Sequence, residues 1–138
     1  MHRALVGALG FVIVGSCFGI PQAAADDQIC ASTPSTQNCF FAPPSGSISC
    51  ELESDNELAY CQTFQPEQSV EMDPNGTLKI CNKSDGCVGN PDGERSLDYG
   101  QTATRGPFTC HSAPSGVTCT VPSGKGFSIS SAGITPVG

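Results

Sequence analysis

From Phe40 onward, apolar and polar positions alternate in short runs separated by turn residues, and no apolar recurrence at helical spacing is sustained. This pattern predicts an all-β domain. In Ser47-Ile48-Ser49-Cys50-Glu51-Leu52-Glu53, alternation puts Ile48, Cys50 and Leu52 on one face and Glu51 and Glu53 on the other. A two-residue turn at Asp55-Asn56, pairing Ser54 with Glu57, brings Leu52 opposite Ala59 and Cys50 opposite Cys61. The Cα atoms of a non-hydrogen-bonded cross-strand pair lie about 4.5 Å apart, within reach of a disulfide. Register and cross-link therefore support each other.

The same reasoning applies near the C-terminus. A turn centred on Pro114-Ser115, followed by Gly116, pairs Phe108-Thr109-Cys110 with Val117-Thr118-Cys119 and sets Cys110 against Cys119. Asp73-Pro74-Asn75-Gly76 reads as a turn joining Val70 and Met72 to Leu78 and Ile80. Cys81 and Cys87 flank an odd-length loop that allows direct opposition, which leaves Cys30 with Cys39 by elimination. Spacing leaves other connectivities open. Pro-Ser-Gly recurs at Pro44-Ser45-Gly46, Pro114-Ser115-Gly116 and Pro122-Ser123-Gly124. This is either a duplication or recurrent hairpin chemistry, and the second is favoured because Pro and Gly are what such turns need.

Upstream, Met1-His2-Arg3 and the apolar run Ala4 to Ile20 have the form of a signal peptide, with Ala23-x-Ala25 directing cleavage before Asp26. The alternative takes Val14-Gly15-Ser16-Cys17 as a degenerate lipobox and anchors a lipoprotein at Cys17. The expected organisation is a signal peptide over 1–25, a Ser/Thr/Pro-rich linker over 26–39 and a disulfide-stapled β domain over 40–138, with no transmembrane span after cleavage. Eight of the nine cysteines lie behind the export signal, which indicates an oxidising compartment, either secreted or in the cell envelope. Large apolar side chains are sparse and Trp is absent, so burial alone is weak. Four disulfides at ~2–4 kcal/mol each supplement it, and the architecture expected is a small sandwich or partly closed barrel built from hairpins.

Charge narrows the partners. Thirteen Asp and Glu against six Lys and Arg give a formal net charge of −7, which disfavours nucleic acid and anionic lipid surfaces.

Several segments resemble a family. Phe41-x-x-Pro44-Ser45-Gly46-x-Ile48-x-Cys50, Leu97-x-Tyr99-Gly100, Phe108-x-Cys110, Gly116-Val117-x-Cys119 and Ser123-Gly124-x-Gly126-Phe127-x-Ile129-Ser130 resemble an exported actinobacterial domain of unknown function. The resemblance spans about Phe40 to Ser131 and implies a secreted or cell-envelope protein with paired cysteines. It implies no activity. Lys125 departs from the family, whose glycine-flanked position often carries His.

Candidate chemistry is thin. His111 beside Cys110 has the composition of a nucleophile and base, but adjacent strand residues point to opposite faces and Cys110 is assigned to a disulfide. Cys81-x5-Cys87 lacks the second ligand pair of a structural zinc site. Asp73-Pro74-Asn75-Gly76 and Asn90-Pro91-Asp92-Gly93-Glu94 hold only fragments of a calcium loop, and Ser123-Gly124-Lys125-Gly126 lacks the strand-to-helix setting of a phosphate loop. Both groups read as turns. Asn75-Gly76-Thr77 and Asn82-Lys83-Ser84 match the glycosylation sequon, which the bacterial resemblance makes irrelevant. No cofactor or metal is expected.

The acidic residues offer more. Glu51, Glu53 and Asp55 alternate along one strand and Glu57 follows the turn, forming a possible interaction patch for a hard cation or a basic partner, or a glycosidase-type carboxylate pair. The plainer explanation is a solvated edge that discourages strand addition. The functional expectation is a non-catalytic envelope or extracellular interaction module whose partner is a protein or an envelope component. Alternatives are an inhibitor of a secreted hydrolase presenting the Asn82–Gly86 loop, and a carboxylate-based hydrolase.

Overall fold

The computed structural model describes residues 28–82, 86, 88–89 and 95–138. The expected leader 1–25, Cys17, Cys87 and the Asn90–Glu94 turn lie outside them. Twelve strands run in chain order: β1 (Gln28–Ile29), β2 (Cys39–Ala42), β3 (Ile48–Leu52), β4 (Ala59–Phe64), β5 (Glu67–Met72), β6 (Leu78–Asn82), β7 (Arg95–Ser96), β8 (Thr102–Arg105), β9 (Phe108–Ala113), β10 (Gly116–Thr120), β11 (Gly126–Ser130) and β12 (Gly133–Val137). The described residues contain no helix, and none is long and apolar enough to cross a membrane.

The strands form two open sheets, ordered β6-β5-β4-β3-β2-β7 and β1-β8-β9-β10-β11-β12. Each is an antiparallel five-strand meander with one short parallel strand added at an edge. Each added strand comes from the other half of the chain. β1 precedes β2 yet pairs with β8, and β7 precedes β8 yet pairs with β2. The segments just after these strands cross between sheets and bury Cys30 and Leu97 in the core.

The predicted registers hold. Cys50 pairs with Cys61 and Leu52 with Ala59, Cys110 pairs with Cys119, and Val70 and Met72 pair with Ile80 and Leu78; the antiparallel register, however, sets Val117 and Thr118 against Ser112 and His111 rather than against Phe108 and Thr109. The Cys30–Cys39, Cys50–Cys61 and Cys110–Cys119 disulfides are present. Cys81 is disulfide-bonded as well, while the Cys81–Cys87 pairing lies outside the described residues.

Alternation is clearest on β9, where Phe108, Cys110 and Ser112 point inward and Thr109 and His111 face solvent. Inward residues of both meanders, among them Phe41, Leu52, Met72, Phe108 and Phe127, form one core between the sheets. Gln68 Nε2 ties the layers together by donating to the Ser130 carbonyl at 2.7 Å.

Two expectations need adjustment. The Asp55-Asn56 turn is wider than two residues: the ladder closes at Glu53 and Leu58, leaving Ser54 to Glu57 as the loop. Asn56 adopts a left-handed φ of 61°, which Asn tolerates better than most residues, and Asp55 Oδ1 accepts the Glu57 N–H at 3.0 Å. The 26–39 linker is not loose along its described length. β1 lies in the sheet, both Cys30 and Cys39 are buried, and their disulfide holds the intervening turns against the sandwich.

The Pro-Ser-Gly echo is out of step with a deeper repeat. The halves correspond as β2–β6 with β8–β12, and Cys50–Cys61 on β3–β4 matches Cys110–Cys119 on β9–β10. The three tripeptides, however, lead into β3, β10 and β11, whereas the strand equivalent to β3 is β9. Turn chemistry explains the tripeptide, and topology carries the repeat.

Replacing both cysteines of Cys50–Cys61, or both of Cys110–Cys119, with Ala is expected to lower unfolding stability by roughly 3 kcal/mol per pair, read by urea titration. Gly126→Ala should destabilise to a comparable extent, because a Cβ there would collide with the Cys119 carbonyl oxygen across the ladder.

Candidate functional site

The outer face of the first sheet gathers the acidic residues. Cross-strand pairing sets Glu51 of β3, Tyr60 of β4 and Glu71 of β5 side by side, with Glu53 two residues along from Glu51 on the same face and Leu58 opposite Glu53. These five residues line one side of a groove of about 320 Å³, and Gly86, Val88 and Gly89 form the rest of its lining. The acids therefore do not sit on an edge strand. β3 lies between β2 and β4, so protection against strand addition does not explain them.

The four residues expected as a patch separate. Glu51 and Glu53 enter the groove, whereas Asp55 and Glu57 remain exposed at the turn. Asp55 acts from there through its charge, which adds to the rise that burial causes in the Glu53 pKa. Glu71 and Tyr60 complete the site and were not singled out from the sequence. The signal for Tyr60 was present, since the register that opposes Cys50 and Cys61 also opposes Glu51 and Tyr60. Glu71 required the β4–β5 turn around Gln65-Pro66, which carries no Gly and does not announce a hairpin.

Desolvation dominates the electrostatics. Glu51 accepts a hydrogen bond from Asn38 Nδ2 at 2.8 Å, but burial outweighs that bond and raises its pKa above the ordinary carboxylate range. Glu53 is also raised, first by burial and then by the charges of Asp55, Glu51 and Glu71. Burial likewise pushes the Tyr60 phenol up. Its hydroxyl donates to Gln62 Oε1 at 2.6 Å and accepts the Gly89 N–H at 3.0 Å, joining the groove floor to its wall. Beneath this contact Gln62 is fully buried and its Nε2 has no hydrogen-bond partner.

This arrangement limits the chemistry. An acid–base carboxylate pair works when the two environments drive the pKa values apart, and here Glu51 and Glu53 are driven the same way. Among the described residues, no three His, Cys, Asp or Glu side chains are placed to hold a metal ion. Asp73 Oδ1 accepts the backbone N–H groups of Asn75 and Thr77 at 2.8 and 3.0 Å, so that carboxylate organises its own turn. His111 is exposed on the face opposite Cys110, whose sulfur is in a disulfide, and the two do not form a nucleophilic pair. The loop expected to present an inhibitory surface, Asn82–Gly86, falls largely outside the described residues.

A raised carboxyl pKa means that the folded state holds its proton more tightly than the unfolded chain. Its effect on stability is therefore favourable at low pH and is lost as pH rises from the unfolded value through the folded one. Glu53→Gln is expected to raise Tm at pH 7, with the gain shrinking as pH falls toward 4, in thermal melts across that range.

Comparison of the chain with protein-family models, with curated proteins and with solved structures returns no match.

Proposed function

We propose that this protein is an exported, non-catalytic interaction module whose acidic groove receives a basic side chain of a protein or envelope component. The carrying observation is the grouping of Glu51, Glu53 and Glu71 around the half-buried Tyr60, with no cationic residue among the described residues that line the groove; Lys79 of β6, outside the lining, pairs with Glu71 across the ladder. Burial raises the pKa of Glu51, and burial followed by the neighbouring carboxylate charges raises that of Glu53; an ammonium or guanidinium group would relieve that repulsion. The Tyr60 ring adds an aromatic surface for such a cation, and Leu58 and Val88 suit the methylene stem of Lys or Arg.

Export is supported by the leader pattern and by disulfides, which persist in oxidising compartments. The resemblance to exported actinobacterial domains points the same way. Lipid attachment at Cys17 is the competing form of the same reading.

The groove is tested by titrating the protein with a Lys- and Arg-rich peptide while following backbone amide resonances. Saturable, salt-sensitive shifts at Tyr60 and Gly89 are expected, with affinity about tenfold weaker in Glu53→Gln/Glu71→Gln. Binding that survives this double substitution unchanged, or no binding at low salt, would reject the assignment. Intact mass from the native host tests export. The expected species begins at Asp26 and contains no alkylatable thiol, whereas a lipid-modified species beginning at Cys17 would replace free secretion with anchoring.

A further inference from the structure

A second cleft, of about 350 Å³, opens at the end of the sandwich where the β3–β4 and β8–β9 turns abut. A Cβ on Gly106 would meet the Asn56 side chain at 2.7 Å, so the turns approach this closely only because residue 106 is glycine. The Cys30–Ser35 segment supplies the remaining wall.

Arg105 lies in this cleft. Alternation along β8 turns it inward with Ala103, and only 8% of its surface is exposed. Nη2 donates to the Pro34 carbonyl at 2.9 Å, while Nη1 is buried with no hydrogen-bond partner. Thr33 Oγ1, in the same lining, is also buried and unpartnered. The remaining polar lining comes from Ser35, Ser54, Asn56 and Thr104, with no carboxylate among the described lining residues. The Asp55 carboxylate of the β3–β4 turn accepts the Glu57 N–H.

This arrangement is unusual for an acidic protein. A guanidinium stays charged at all accessible pH values, and burying it without an opposing charge is unfavourable by several kcal/mol. Eight of the thirteen acidic residues are described, yet among the described residues it meets only a neutral carbonyl. The two non-glycine residues with left-handed φ among those described, Cys30 at 74° and Asn56 at 61°, both line this cleft, so strained backbone is concentrated there.

We propose that the cleft is a binding site for a small oxyanion, a carboxylate or a phosphate group, with Arg105 as its cationic anchor and the Thr33 hydroxyl as a donor. The anion supplies the charge that the fold withholds. The planar guanidinium edge not used by Pro34 offers parallel N–H donors to two oxygens, and the surrounding hydroxyls complete the shell. This site is distinct from the acidic groove, which has the opposite charge preference, so its test does not depend on the groove.

The experiment titrates the full chain with sodium phosphate and, separately, with sodium acetate, holding ionic strength constant with sodium chloride and following amide resonances. Saturable shifts at Thr33, Ser54 and Gly106 with either anion are expected, and the stronger arm identifies the ligand as a phosphate or a carboxylate. Thr33→Val removes a donor at nearly constant volume and should weaken binding by about tenfold. Arg105→Lys keeps the charge without the fork and should weaken it further. Shifts no larger than those from matched chloride would overturn the proposal. So would undiminished affinity in both variants. If Arg105→Lys fails to fold, the parent titration and Thr33→Val still decide.

Discussion

Two cystines facing the interior between the sheets set the register on which everything else depends. A one-residue slip of a strand turns its whole inward set toward solvent. Cys50–Cys61 and Cys110–Cys119 forbid that slip, because each joins directly opposed residues on neighbouring strands with Cα atoms 4.1 and 4.0 Å apart. Both cystines are fully buried, so they also act as apolar volume in a core that has no Trp and few large side chains. The staples and the hydrophobic pattern specify the same pairing, and such agreement across levels makes a sequence specify one structure.

The exchanged edge strands extend this constraint from hairpins to the whole molecule. Each meander is completed by two residues from the other half, and the crossing segments bury Cys30 and Leu97. Neither half can finish its sheet alone. The Cys30–Cys39 disulfide fixes the first crossing, and Arg105 adds a hydrogen bond from β8 to the turn that follows it. A segment whose Ser, Thr and Pro content suggests a linker becomes structural because covalent and polar attachments replace the hydrophobic side chains it lacks.

What was legible in the sequence followed from period and spacing. Three hairpin registers, the inward residues of β3 and the pairing of Cys110 with Cys119 could all be read from alternation joined to turn residues. Pairings between segments distant in the chain were not legible. β1 and β7 are two residues long, too short to show alternation, and their partners lie more than fifty residues away in sequence. The candidate sites share this divide. Glu51 and Glu53 were visible as an alternating pair, whereas Glu71 joined them through a turn without Gly, and Arg105 became notable only once the 30–39 segment was seen to cover it.

Both sites retain features that folding alone disfavours. The groove partly buries Glu51 and Glu53, which raises their pKa values, and the cleft buries a cation with no carboxylate among its described lining residues. Glu51 and Glu53 point away from the inter-sheet core, so neither the staples nor the core requires a carboxylate at those positions. The two regions differ in charge, with carboxylates lining the groove and a guanidinium lining the cleft, and the β3–β4 turn contributes to the cleft through Ser54 and Asn56 while its strands carry the groove.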